Sequence, residues 1–233
     1  MGSNYFHIAI DGPVAAGKGT VSRLVAQRLN FLYVDTGAMY RMTAYLAFTH
    51  NVPYSNEQTI VELIKKSKME MRNPNDKEKD GRLTTVFLDD DDVSWKIRTE
   101  EISQGSSKVA VLPAVRKVLV EKQQQIAKGQ NVIMEGRDIT HTVLPEAELK
   151  IYLTAKTKER AERRLLQLQQ KGIDTTLQQV MSDIEQRDER DMNRATDPLK
   201  KIPEAWEIDT SNLSIEKVVD KIVAKVEAMR IKK

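Results

Sequence analysis

The sequence predicts an α/β fold with a mainly parallel central sheet of about five strands, flanked by helices. Three observations predict it. Short apolar runs alternate with helical patterns along the chain. The first run passes through a glycine-rich loop straight into a helix. A stretch of different composition, about 67–106, interrupts the alternation and reads as a small antiparallel β insertion.

In chain order, Phe6-His7-Ile8-Ala9-Ile10 is a short buried-type strand, followed by Asp11 and the loop Gly12-Pro13-Val14-Ala15-Ala16-Gly17-Lys18-Gly19-Thr20. A helix follows, with Val21, Leu24, Val25 and Leu29 on one face. Phe31 to Val34 is a second strand, closed by Asp35-Thr36-Gly37, and Ala38 to about Phe48 a second helix. Ser55-Asn56-Glu57-Gln58 reads as a capping box opening a helix through Ile64.

Within 67–106, Asn73-Pro74-Asn75-Asp76 and Lys79-Asp80-Gly81 signal turns, and Leu83 to Leu88 is β-rich. The acidic run Asp89 to Asp92 lacks the glycine and distal glutamate of a calcium loop, so it reads as a solvated hairpin end. Pro113 opens a helix that Gly129 closes. Val132 to Met134 is a strand ending in Glu135-Gly136-Arg137-Asp138, and Leu149 to Leu153 another. Helices are expected over about 158–171 and 177–193, a last strand at Trp206 to Asp209, and a last helix from Ser214 to Met229.

A chain of 233 residues, 40% hydrophobic and 30% charged, suits one domain carrying an insertion. The absence of cysteine excludes disulfides, thiolate metal sites and thiol catalysis. Three histidines show no metal-ligand spacing. A net charge of +3 and 5% aromatics argue against a nucleic-acid partner. No apolar run is long enough to span a membrane and no signal peptide is evident, so the expectation is a cytoplasmic protein without a membrane partner. Met1-Gly2-Ser3 resembles a myristoylation start, but that motif wants Ser or Thr where Phe6 stands.

The chemistry starts at Gly12-x-x-x-x-Gly17-Lys18, between a strand and a helix. Phosphates need several backbone N–H donors converging on one point, and Gly12, Gly17 and Gly19 clear that approach. Lys18 can reach the outer phosphates of a nucleotide. Gly19 occupies the place where many such loops carry a Ser or Thr that ligates Mg²⁺; Thr20 follows it.

On the 177–193 helix, the stripe begun by Val180 and Ile184 continues at Arg187, Asp191 and Arg194, with Arg190 beside it. An inward face that turns from apolar to arginine-rich reads as a ligand-lining face. Arg41, Arg137, Arg160, Arg163 and Arg164 supply further guanidinium groups. A phosphate loop with many arginines and no nucleophile–base pair points to phosphoryl transfer, which needs positioning and charge neutralisation more than covalent chemistry.

These residues resemble the bacterial-type cytidylate (CMP) kinase family of the nucleoside monophosphate kinases. The marks are IDGPVAAGKGT (Ile10–Thr20), DTGAMYR (Asp35–Arg41), SSKVAVLPAVR (Ser106–Arg116), EGRD (Glu135–Asp138), ERAERR (Glu159–Arg164) and RDERDMNR (Arg187–Arg194). The resemblance implies a P-loop NTPase-like fold with ATP and Mg²⁺ on the loop and CMP or dCMP as acceptor. It implies Thr36, Arg41, Arg137 and Arg194 at the acceptor phosphate, Ser107, Arg116 and Asp138 around the cytosine, and Arg187 and Asp191 near the sugar. It implies a helical lid, about 158–172, in which Arg163 with Arg160 or Arg164 covers the ATP phosphates, and an acceptor-side insertion at about 67–106. The core is then about 1–66, 107–157 and 173–233 of a single monomeric unit. Lys18, Arg137, Arg163 and Arg194 are the expected catalytic residues. Asp35 and Glu135 are both candidates to hold Mg²⁺ through water, and the metal ligands stay open. The family commonly continues EGRD with Ile-Gly-Thr, whereas this chain reads Ile139-Thr140-His141, which puts the local backbone in question. The alternatives are a kinase for another small acceptor, such as UMP or shikimate, and a nucleotide-binding regulator without CMP kinase activity.

Overall fold

The computed structural model describes residues 5–78, 80–170 and 172–231. Met1-Gly2-Ser3, Lys79 and Lys171 lie outside the described residues.

Five strands make one parallel sheet: β1 (His7–Asp11), β2 (Leu32–Asp35), β6 (Val132–Gly136), β7 (Leu149–Thr154) and β8 (Trp206–Asp209), in the order β2-β6-β1-β7-β8. The apolar runs form its centre because a strand covered on both faces needs no polar alternation. Side chains still alternate between faces. Ile8, Ile10, Tyr33 and Ile133 pack beneath α1 (Lys18–Leu29) and α8 (Ile215–Arg230). Ala9, Val34 and Met134 pack against α2 (Thr36–Thr49), α3 (Glu57–Lys66) and α5 (Pro113–Ala127) on the other face.

The 67–106 stretch does contain an antiparallel sheet, β3 (Met69–Arg72), β4 (Thr85–Leu88) and β5 (Asp91–Asp92), in the order β3-β4-β5. Asp89 and Asp90 turn the chain between β4 and β5 with φ of 51° and 72°, the left-handed conformation a tight hairpin requires. The sheet ends at Asp92, and Glu100–Val109 is a helix, α4, capped by the Thr99 hydroxyl. Asn73 anchors the insertion. Its amide donates to the Phe31 carbonyl and accepts from Tyr33 N–H, at 2.8 and 3.0 Å, standing in for a neighbouring strand at the β2 edge.

Two caps differ from the sequence expectation. Asn56, not Ser55, accepts from the Thr59 amide at the start of α3. The capping box lies instead at Thr176 and Gln179, opening α7 (Leu177–Asn193). α6 (Thr157–Gln170) and α7 pair as a hairpin around Ala161, Val180 and Ile184, which also enclose Val14 of the glycine loop.

Candidate active site

Strand register builds the site. Asp11 stands opposite Gly136, and both Asp35 and Ile10 stand opposite Glu135. The carboxyl ends of β1, β2 and β6 are therefore level, and the segments leaving them emerge side by side. Crevices outside these strand ends are where open parallel sheets bind ligands.

Gly12 is demanded by space. A Cβ there would lie 2.0 Å from the Leu153 carbonyl oxygen of β7. Ala15 and Gly17 take φ of 60° and 91°, which curls the loop so that α1 begins at Lys18. The Lys18 ammonium is buried and donates to the Gly12 and Pro13 carbonyls, both at 2.8 Å. Burial first, and the Arg137 charge second, push its pKa down to about 7, against opposing pulls from Glu135, Asp191 and Asp11. A Cβ on Gly19 would meet Glu135 Oε1 at 3.1 Å and the Tyr33 hydroxyl at 3.2 Å. That hydroxyl donates to Glu135 Oε1 at 3.0 Å. Burial, with Asp35 nearby, raises the Glu135 pKa.

Beside the loop, a pocket of about 120 Å³ is lined by residues that include Thr36, Arg41, Ser107, Arg137, Asp138, Arg187, Asp191 and Arg194. Asp35 caps α2 through the Ala38 amide and pairs with Arg41 at 2.6 Å. Burial opposes its charge, but Arg41 and Arg98 outweigh that and hold its pKa low. Arg137 donates to Asp191 at 2.7 Å. Burial opposes the Arg137 charge too, and Asp191 more than compensates. Arg187 and Arg194 are lowered, first by burial and then by the neighbouring guanidinium groups of Arg137 and Arg116 respectively.

Arg116 does not line this pocket. It is 1% exposed and lies behind Asp138, bonding Asp138, Asp197 at 3.3 Å and the Ala110 carbonyl at 3.1 Å, with Tyr40 across its face. Ser107 sits inside α4 and contributes to the pocket wall. The Thr140 substitution is accommodated. Ile139–Val143 forms a single π-helical turn, in which the Ile139 and Thr140 amides and the Thr140 hydroxyl all donate to Asp11. Burial nonetheless raises the Asp11 pKa to about 6.

The three arginines expected in a lid separate. Arg164 lines a larger cavity, about 670 Å³, between α4 and the α6–α7 hairpin, together with Val14, Ser107, Arg187 and Arg190. Arg163 bonds the hydroxyl and carbonyl of Thr210, after β8. Arg160 is buried with its donors on Ala155, Val14, Thr157 and Asp188. Sequence reasoning did not single out Tyr40, Ser106, Asp188 or Asp197 as part of this region. Tyr40, Ser106 and Asp188 lay inside quoted motifs without being given a role; Asp197 carried no signal, since its partners Arg116 and Thr142 are distant in sequence.

A strand, a glycine loop, a buried lysine and a helix on a five-stranded parallel sheet define a P-loop nucleotide-binding fold, and the arginine-lined pocket beside it suits a second phosphate-bearing ligand. The sequence model of the family described as cytidylate kinase matches residues 8–228. Curated cytidylate kinases include that of Lactobacillus gasseri, 45% identical over 215 residues, covering 92% of this chain and 91% of the relative. That of Bacillus cereus is 46% identical over 218 residues, covering 93% and 94%. The chain belongs to the cytidylate kinase family. A solved structure of an uncharacterized protein from Eubacterium ventriosum aligns with a TM-score of 0.53 at 10% identity, over 95% of this chain and 98% of that one, a likeness of fold alone.

Proposed function

We infer that this chain transfers the γ-phosphoryl group of ATP to the phosphate of CMP or dCMP. One observation carries the reading beyond family membership: the loop that would hold ATP and the arginine-lined pocket open side by side at the level ends of β1, β2 and β6.

An acceptor phosphate oxygen attacks the γ-phosphorus, the new O–P bond forms, and the bond to the β-phosphate oxygen breaks to release ADP. A phosphate monoester has a second pKa of about 6, so the acceptor is largely a dianion at neutral pH and needs no general base. The chain's task is then to align two anions and neutralise their charge. The loop amides and Lys18 serve the donor; Thr36, Arg41, Arg137 and Arg194 serve the acceptor phosphate. Ser107 and Asp138 face the base, with Arg116 fixing Asp138 from behind, and Arg187 and Asp191 lie toward the sugar.

Among the described residues no group of three metal-ligating side chains gathers. Mg²⁺ keeps its waters and relies on nucleotide phosphates plus one or two carboxylates. Glu135, beside Gly19, and Asp35 are the carboxylates that would hold its water shell, and the ion would supply charge neutralisation between the phosphates. We propose residues 158–172, with Arg164, as a lid and 67–106 as the acceptor-side insertion, in a monomeric cytoplasmic enzyme. No helix among the described residues is long and apolar enough to cross a membrane.

The test is an ADP-release assay with and without CMP. Cytosine presents an amino donor to Asp138, whereas uracil sets oxygen lone pairs against it. CMP and dCMP should exceed UMP in kcat/KM by at least about 10². Asp138→Ala should narrow that gap. Equal use of CMP and UMP by the parent would overturn the assignment.

A further inference from the structure

Val14 is held at both of its backbone polar groups by side chains from the α6–α7 hairpin. Its N–H donates to Asp188 Oδ1 at 2.9 Å. Its carbonyl accepts from Arg160 Nη1 at 3.0 Å, and the same nitrogen donates to Asp188 Oδ2 at 2.5 Å. Arg160 is itself fixed by the Ala155 carbonyl at 3.0 Å and Thr157 Oγ1 at 3.1 Å. The Val14 side chain packs with Ala161, Val180 and Ile184. Asp188 is 7% exposed and projects from the helix that also presents Arg187 and Asp191 to the acceptor pocket.

The arrangement needs a cause. A carboxylate is electrostatically the wrong group to bury beside a loop that receives a polyphosphate. Arg160 neutralises it, but an apolar side chain would avoid the conflict entirely. What a carboxylate supplies is an acceptor for a backbone N–H and for a guanidinium at once. The next residue, Ala15, takes a left-handed φ of 60°, which L residues resist. Fixing the Val14 peptide one residue ahead of it opposes relaxation of the loop out of its curl.

We propose that Asp188 is a positioning residue for ATP: with Arg160 it pins the Val14 peptide and so preserves the loop conformation whose amides meet the donor phosphates. The proposal rests on ATP binding at this loop.

Asp188→Ala deletes both bonds and leaves the buried Arg160 charge uncompensated below the loop. Electrostatics alone then makes ATP bind tighter, whereas loss of positioning makes it bind more weakly. The sign separates the two. The affinities of a non-hydrolysable ATP analogue and of CMP are measured by calorimetry on both proteins, with thermal unfolding to establish the fold. A charge-assisted hydrogen bond supports a loss of about 10- to 10²-fold in analogue affinity, with CMP affinity within about twofold. Unchanged or tighter analogue binding overturns the proposal, as does an equal loss for both ligands, which marks a general structural defect. If the alanine variant does not fold, Asp188→Asn decides: it keeps an acceptor for Val14 but sets an amide where Arg160 needs an acceptor. Its analogue affinity should fall about threefold or more with CMP unaffected, and no fall overturns the proposal. A parent that binds no analogue defeats the P-loop assignment instead, so the two failures are distinct.

Discussion

Replacing Lys18 with methionine separates what the loop lysine does for stability from what it does for transfer. Its ammonium is 5% exposed and its pKa is pushed down to about 7, mainly by burial and then by Arg137. In the unfolded chain a lysine titrates at 10.5. Between those values the unfolded chain carries a proton that the folded chain has released. Stability of the parent therefore rises with pH across this window, by up to about 1.4 kcal/mol per unit. From about pH 7.5 to 9.5 the rise is on the order of 2–3 kcal/mol. Below about pH 7 the parent bears the full penalty of the buried charge. Methionine does not titrate and has similar length, so its variant lacks the rise. It forfeits two bonds to carbonyls, about 1 kcal/mol each, and regains the larger desolvation cost. The variant should thus match or exceed the parent's stability at about pH 6 and fall behind as pH increases. Urea unfolding of the nucleotide-free proteins at several pH values gives the difference curve. Turnover of CMP should meanwhile fall by on the order of 10²–10³. A difference curve flat from about pH 7 to 9.5 would refute the buried, depressed lysine. Turnover within a few-fold of the parent would remove Lys18 from the transfer step.

Gly12→Ala places a Cβ 2.0 Å from the Leu153 carbonyl and should destabilise by more than about 4 kcal/mol. Gly17→Ala meets nothing within 4 Å and should cost only the ~1–2 kcal/mol of a left-handed residue; equal losses of Tm would contradict the close approach. Arg116→Met leaves Asp138 and Asp197 without their buried partner, and denaturant unfolding should show a loss on the order of 3–5 kcal/mol, a negligible change being the contrary result. ATP analogue plus CMP should protect both 67–106 and 158–172 from hydrogen exchange, and identical protection with and without ligands would count against closure.

The sheet was legible because a strand buried on both faces leaves an apolar run bounded by turn residues, and Ile8–Ile10, Val132–Met134 and Leu149–Leu153 are such runs. The arginine-lined pocket was legible through one helix, where an apolar stripe at Val180 and Ile184 turns charged at Arg187 and Asp191. The helix Glu100–Val109 was hidden, since EEISQGSSKV has few strong helix formers after its first turn and buries only Ile102, Gly105 and Val109. Its stability comes from Thr99 capping and from packing on α2, neither of which a periodicity reveals. The trio Arg160, Arg163 and Arg164 shows the same limit. Helical spacing places them near one another, but tertiary partners decide that Arg160 is buried on Asp188, that Arg163 turns to Thr210 and that Arg164 lines the larger cavity.

The four cations proposed to meet the phosphates are already engaged. Arg41 bonds Asp35, Arg137 bonds Asp191, Arg194 bonds the Asp197 carbonyl, and Lys18 bonds two loop carbonyls. A phosphate entering the pocket must therefore exchange for protein acceptors rather than meet bare charge. Two consequences follow. The guanidinium groups are held near their working positions before the ligand arrives, so less conformational entropy is lost on binding. The net gain per contact is also only the difference between a phosphate oxygen and the acceptor it displaces, which suits an enzyme that must release a more highly charged diphosphate after each turnover. Removing an acceptor should then tighten product more than it helps catalysis. Asp191→Asn frees Arg137 from its carboxylate, so CDP should bind the variant more tightly while kcat falls through slower release. Calorimetric CDP affinity together with steady-state kcat measures both. Weaker CDP binding by the asparagine variant would show that Asp191 orients Arg137 more than it competes for it.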